Sequence, residues 1–291
     1  MDCVPFAFSQ SVCALFDFTL LNGCQQLGSR VWIEAGERSW DSRVFFSIGY
    51  SNGAWSYNLH VRSFSQFACT DITLEEMKRI NRRHLQVVSI DLVHSSTINP
   101  HAVTLEEIFE ILNFALTFLD EAFLAIKLFN GLPEDSLSLL LTRFRNVPFR
   151  ALELYDSPLI NDFLRIQLQS NDALKSIALD SGGFEEFHAE VEEFANRNFD
   201  SIRVTFSSLV FDKTFFETLF SKPLGEKQTY RRFSAHFSFS DEELQSFRSE
   251  EQVEPDGEHR IVWKRKDGVR VTVTKYSPKY QGAWWIKFTR S

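Results

Sequence analysis

Phe149-Arg-Ala-Leu-Glu-Leu154, Leu174-Lys-Ser-Ile-Ala-Leu179 and Phe199-Asp-Ser-Ile-Arg-Val204 carry one pattern, and each begins 25 residues after the last. Large apolar residues stand at the first, fourth and sixth positions. The last two alternate with small or polar residues, the period of a strand with one buried face. A helix-like segment follows each: 159–168, 184–195 and 213–220. A strand–helix unit of this size cannot bury its own apolar face, so neighbouring units must stack. The expected result is a parallel sheet with helices on its outer side. With Leu152, Leu154, Ile177, Leu179, Ile202 and Val204 pointing to the core, Glu153, Tyr155, Ala178, Asp180, Arg203 and Thr205 line the open face. That mixed set, with one aromatic and both signs of charge, is a candidate protein- or peptide-binding surface. An ordinary solvated face, or one covered by the N-terminal hairpin, is the alternative.

This period resembles a leucine-rich repeat of irregular type, since the usual Asn is missing. An earlier run, Leu85-x-x-Val88-x-Ile90-x-Leu92, fits the same template outside the period. The fold class expected is therefore α/β: a short, irregular leucine-rich-repeat-like solenoid with flanking segments. One flank is a hairpin. Asn52-Gly53 supplies the two positive-φ positions of a type I′ turn. The register then pairs Tyr50 with Trp55, Ile48 with Tyr57, Phe46 with Leu59 and Val44 with Val61, all on one face. Three capping boxes, Thr73 to Glu76, Thr104 to Glu107 and Ser240 to Glu243, mark helix starts. The second opens a Phe-rich run that reads as one helix from Leu105 to Phe129.

After Ser221-Lys222-Pro223-Leu224-Gly225 the composition shifts. Residues 241–258 hold eight acids and one base; residues 260–290 hold nine bases and one acid. Strand-like runs cover 233–239, 260–265, 269–274 and 283–288, with Lys266-Asp267-Gly268 as a turn, and 249–259 reads as an exposed loop. These shifts divide the chain into 1–43, a helical segment; 44–221, hairpin and repeat body; and 222–291, an antiparallel β segment.

Bulk properties bound the function. The 291 residues suffice for a sizeable core, and thirty Phe residues mark a folded chain. The net charge of −8 disfavours a generic nucleic-acid binder. Cys3, Cys13, Cys24 and Cys69 are scattered, which fits reduced thiols in an intracellular protein, cytoplasmic, nuclear or both. No secretory signal, Asn-x-Ser/Thr acceptor or uncharged membrane span is visible.

No phosphate-cradling loop, nucleophile elbow or zinc helix is present, so no catalytic residue, metal ligand or cofactor is assigned. His188 and Glu192 share a helix face, which reads as a solvated face rather than a metal site. Trp263, Tyr276, Tyr280, Trp284 and Trp285 interleave with Lys264, Arg265, Lys275, Lys279 and Lys287, the composition of a single-strand nucleic-acid platform. Strand alternation opposes it, placing Trp263, Val269, Val271, Val273, Trp284, Ile286 and Phe288 inward and Arg270, Thr272, Trp285 and Lys287 outward.

At the other end, residues 2–16 form a short helix with Pro5 in its first turn and apolar residues at Phe8, Val12, Leu15 and Phe16. Val4-Pro5, Phe8, Val12 and Phe16, followed by Leu20, Leu27, Val31-Trp32, Ala35 and Trp40, resemble an F-box over roughly residues 4–45. The whole chain is similar to the large nematode families of F-box-like proteins, which begin Met-Asp-x-Val-Pro and end in a β-rich segment. The resemblance implies a substrate-recruiting subunit of an SCF-type ubiquitin ligase. Val4, Pro5, Phe8, Val12, Leu15 and Phe16 would then contact the Skp-type adaptor, the repeat face would hold a protein target, and the chemistry would belong to other subunits. A repeat module that no longer docks on a ligase is the alternative.

Overall fold

The computed structural model describes residues 5–14, 29–41, 43–62, 69–80, 85–94, 103–127, 132–155, 157–180, 182–205, 209–226, 228–247, 260–275 and 284–290. The fold is mixed α/β, and the chain divides into two compact units, residues 1–125 with 129–132, and residues 126–128 with 133–291.

The first unit opens with helix α1 (Phe6–Ala14) and helix α2 (Arg30–Asp41). The hairpin follows as β1 (Arg43–Ser51) and β2 (Ala54–Arg62), in the register expected from Asn52-Gly53. Both turn residues have positive φ, 52° and 81°. Val44, Phe46, Ile48, Trp55 and Leu59 are buried on one face, while Phe45 stacks on His60 on the other. β3 (Cys69–Ile72) extends the hairpin, and helix α3 (Leu74–Arg79) starts at the complete Thr73–Glu76 capping box. β4 (Gln86–His94) lies parallel to β1.

Helix α4 (Leu105–Leu116) opens at the Thr104–Glu107 box as expected, but the single helix to Phe129 is not formed. The chain turns at Thr117 and Phe118 and continues as β5 (Leu119–Lys127) beside β4. Thr117 Oγ1 donates to Phe114 O at 2.7 Å, and Val87 N donates to Phe118 O at 3.0 Å. Apolar residues all round a segment do not distinguish a buried helix from a buried strand. The unpaired backbone edge of β4 makes the choice, because its N–H and C=O groups need partners.

The second unit begins with helix α5 (Glu134–Phe144) and then repeats: β6 (Ala151–Tyr155), helix α6 (Asn161–Ser170), β7 (Ser176–Asp180), helix α7 (His188–Ala195) and β8 (Ser201–Thr205). The strands are parallel and pair at the sequence period, Ala151 to Ser176 to Ser201. The ladder starts one residue earlier, with Lys175 N donating to Arg150 O and Asp200 N to Lys175 O, each 2.7 Å. The six core positions of the strands are at most 2% exposed, and each such side chain contributes about 1.5–3 kcal/mol.

β9 (Val210–Phe211) and helix α8 (Lys213–Ser221) lead to β10 (Tyr230–Phe237). β10 begins three residues before the expected 233. It pairs parallel with β8 and antiparallel with the final strand, so the sheet changes sense there. Helix α9 (Asp241–Ser246) starts at the third capping box. β11 (Arg260–Lys264) and β12 (Val269–Lys275) form the expected hairpin, and β13 (Trp284–Arg290) lies between β12 and β10. The core beneath is aromatic: Phe216, Phe220 and Phe247 meet edge to face or tilted, with Trp263 closing the cluster. The expected loop 249–259 lies outside the described residues.

Candidate functional site

Pro5 opens α1 as predicted, its carbonyl accepting from Phe8 N and Ser9 N at 3.0 and 3.2 Å. The side that α1 buries carries its small residues. Ser9 and Cys13 are fully buried, Val12 is half-buried, and Phe8 is 57% exposed. α1 packs on α2, whose Ala35 and Ser39 are also buried, and the Arg38 guanidinium lies 4.9 Å from the Phe6 ring centroid. Val4, Leu15 and Phe16, with Leu20 and Leu27, lie outside the described residues.

The repeat face is assembled as the alternation predicts. Register places Glu153, Ala178 and Arg203 in one row across β6, β7 and β8, and Tyr155, Asp180 and Thr205 in the next toward the strand ends. The Ala178 methyl is too small to block the way, so Arg203 reaches over it. Its Nη2 donates to Glu153 Oε1 at 3.3 Å and to Asp180 Oδ2 at 3.0 Å. The carboxylate side chains keep only 17% and 11% of their surface, while that of Arg203 keeps 42%. Burial first, and then the charges of Asp180 and Glu153, push the Tyr155 hydroxyl above its ordinary range, and Arg203 partly offsets this. The face therefore carries one cation, Arg203, held between two acids.

On the opposite side the helices are tied at the same period. Asn161 Nδ2 donates to Glu186 Oε1 and Arg165 Nε to Glu190 Oε1, both 25 residues apart. Asn171 was missed in the sequence. It is buried in the turn before β7, where its Nδ2 donates to Phe149 O at 2.8 Å and its Oδ1 accepts from Ala173 N. Asn146 and Asn196 stand at the same position, three residues before Phe149 and Phe199, but are exposed, so position alone does not single Asn171 out. Gln228 treats Phe199 O in the same way, so a buried amide holds each of these two turns.

His188 and Glu192 do share a helix face. The His188 ring stacks on Phe211 with centroids 4.9 Å apart and its Nε2 lies 3.1 Å from Val210 O. Among the described residues no group of three or more His, Cys, Asp or Glu is placed to hold a metal. No helix among them is long and apolar enough to cross a membrane.

The C-terminal basic and aromatic residues are split by the fold. Trp263 and Trp284 are buried, and Trp263 Nε1 donates to Phe247 O. Arg265 turns inward to the end of α8, donating to Phe220 O and Lys222 O at 2.5 and 2.8 Å. Lys275 lies 5.0 Å from the Trp284 ring centroid. Tyr276, Lys279 and Tyr280 lie outside the described residues. Lys264, Trp285 and Lys287 are exposed. Comparisons of the chain with protein-family models, curated proteins and solved structures find no match.

Proposed function

We propose that this chain is a non-enzymatic protein-interaction subunit, a substrate-recruiting F-box-like component of an SCF-type ubiquitin ligase. One observation carries the reading: α1 is anchored through Ser9 and Cys13, which leaves the Phe8 ring 57% exposed on the N-terminal helix. A ring of that size held outward on a fixed helix is the kind of aromatic anchor that a partner pocket takes up. Val4, Pro5, Phe8, Val12, Leu15 and Phe16 are the residues that would meet the Skp-type adaptor.

The body is read as a short, irregular leucine-rich-repeat-like solenoid. The parallel strands paired at a period of 25 residues and the helix ties at the same spacing support that reading. Its target would lie on Glu153, Tyr155, Asp180, Arg203 and Thr205. The setting is intracellular, cytoplasmic, nuclear or both. The second reading, a repeat module without ligase docking, is favoured by the half-buried state of Val12.

Co-purification of the chain with a Skp-type adaptor separates the two. The intact chain is expected to form a complex, and Phe8→Asp to abolish it with an unchanged circular-dichroism spectrum. An intact chain that fails to co-purify sinks the ligase reading. Val12→Asp sharpens the outcome: unfolding there means that the helix serves the core.

A further inference from the structure

The chain is acidic as a whole, yet β10, β11, β12 and β13 together contain no Asp or Glu. Their inward residues close one face of the sheet. Their outward residues continue the open face of β6 to β8, with Ser234 opposite Arg203 on β8, and register arranges them. Arg232 lies opposite Lys287, Tyr230 opposite Thr289, and Ser234 opposite Trp285. Arg270 lies between Thr289 and Lys264 on the neighbouring strands.

Four cations, Arg232, Lys264, Arg270 and Lys287, thus stand exposed on one face, and among the described residues no carboxylate pairs with any of them. The rings of Tyr230 and Trp285 are 45% and 44% exposed beside them. Trp285 and the partner of Tyr230 are four residues apart along β13. At the rise of a strand the two rings are therefore about 13 Å apart along the sheet, with Arg232 and Lys287 between them. The Arg232 guanidinium leans to 5.6 Å from the Tyr230 ring centroid.

We propose that this sheet face binds single-stranded nucleic acid, the cations holding successive phosphates and Trp285 and Tyr230 stacking on bases. The proposal is independent of the adaptor reading. Charge complementarity selects a polyanion, and the two rings select its kind. A strand with free bases uses both the charges and the rings, whereas an acidic polypeptide uses only the charges. The interleaved composition pointed to this region, and strand alternation placed Trp263 and Trp284 inward and Arg270, Trp285 and Lys287 outward, as they stand. Arg265 also turns inward, and Tyr230 and Arg232 on β10 join the outward set.

The test is fluorescence anisotropy of a labelled twelve-nucleotide oligo(dT) or oligo(U) titrated with the full chain. With about four phosphates neutralised, affinity falls about 50-fold between 50 and 200 mM salt. Arg232→Gln with Lys287→Gln roughly halves the slope of log affinity against log salt. Tyr230→Ala with Trp285→Ala weakens binding about tenfold or more and leaves that slope unchanged. A labelled polyglutamate peptide is the second probe. The proposal is overturned by absence of oligonucleotide binding at 50 mM salt, or by the charge variant binding like the intact chain. Polyglutamate binding as tightly as the oligonucleotides, with no loss in the ring variant, overturns it in favour of an acidic protein partner. The charge variant alters only exposed side chains and decides the matter if the ring variant fails to fold.

Discussion

On β6, β7 and β8 the outward charges answer one another: Arg203 holds Glu153 and Asp180 across an alanine, and Arg150 lies 3.6 Å from Asp200 at the other end of the strands. On β10 to β13 the outward cations Arg232, Lys264, Arg270 and Lys287 have no carboxylate partner among the described residues, and two exposed rings stand among them. Both surfaces belong to the second unit, and both sit over a core of Leu, Ile, Val and Phe. The difference is one of charge pattern on a shared scaffold. A surface that satisfies its own charges gains little from a charged ligand, because each new contact must displace an existing one. A surface with unanswered charge has that attraction to offer.

The largest expected effect tests the scaffold beneath this contrast. Trp263→Ala removes a ring packed on Phe220 and Phe247 and leaves Phe247 O without its donor. It should cost about 3–5 kcal/mol in a urea or thermal unfolding experiment. Trp285→Ala on the outward side of the same region, where the ring is 44% exposed, should cost clearly less, about 1–2 kcal/mol. Equal losses would break the assignment of inward and outward sides.

A smaller difference is expected between the two charge patterns. Arg203→Gln strips two largely buried carboxylates of their common partner and should destabilise by about 1–3 kcal/mol. Lys287→Gln has no partner among the described residues to lose and should move the midpoint by less than about 0.5 kcal/mol. A larger loss at Lys287 would mean that the cationic face contributes to folding rather than standing ready for a ligand.

The smallest effect is a slope in pH at the segment between the two surfaces. Lys222 Nζ donates to Ala195 O and Arg197 O at 2.7 and 2.5 Å. Burial first, and then Arg231, lower its pKa from 10.5 to about 8. Between those values the unfolded chain binds the extra proton, so this group adds stability as pH rises from about 8 to 10.5. A neutral amine still has two N–H bonds for the two carbonyls, so deprotonation keeps the contact. Lys222→Met should flatten that part of the stability profile measured by denaturant titration. A profile unchanged by the substitution would refute the assignment.

Much of this architecture was legible without coordinates. The Asn52-Gly53 turn gave the hairpin register, the three capping boxes gave three helix starts, and the spacing of Phe149, Leu174 and Phe199 gave parallel strands at one period. These signals are local: a positive φ, a hydroxyl and a carboxylate three residues apart, or alternation along a strand. Expectations failed or stayed open where the decision was not local. The segment 105–129 became helix and strand because the edge of β4 needed partners. The sequence left open which side α1 buries, and the fold buries Ser9 and Cys13 while Phe8 stays exposed. The interleaved basic and aromatic run at the C-terminus, by contrast, divides as strand alternation places it, with Trp263 and Trp284 inward and Trp285 and Lys287 outward.

By itself, then, the sequence determined the repeat, its strand alternation, the hairpin and the helix starts, since each is set by the chemistry of a few neighbouring residues. Only the tertiary structure decided which side α1 buries, where the helix from Leu105 ends, and that β10 joins the C-terminal strands. Those choices depend on backbone partners and packing supplied by residues far away in the chain. They also leave Phe8 exposed on α1 and set Tyr230 and Arg232 beside Trp285 and Lys287 on one sheet face.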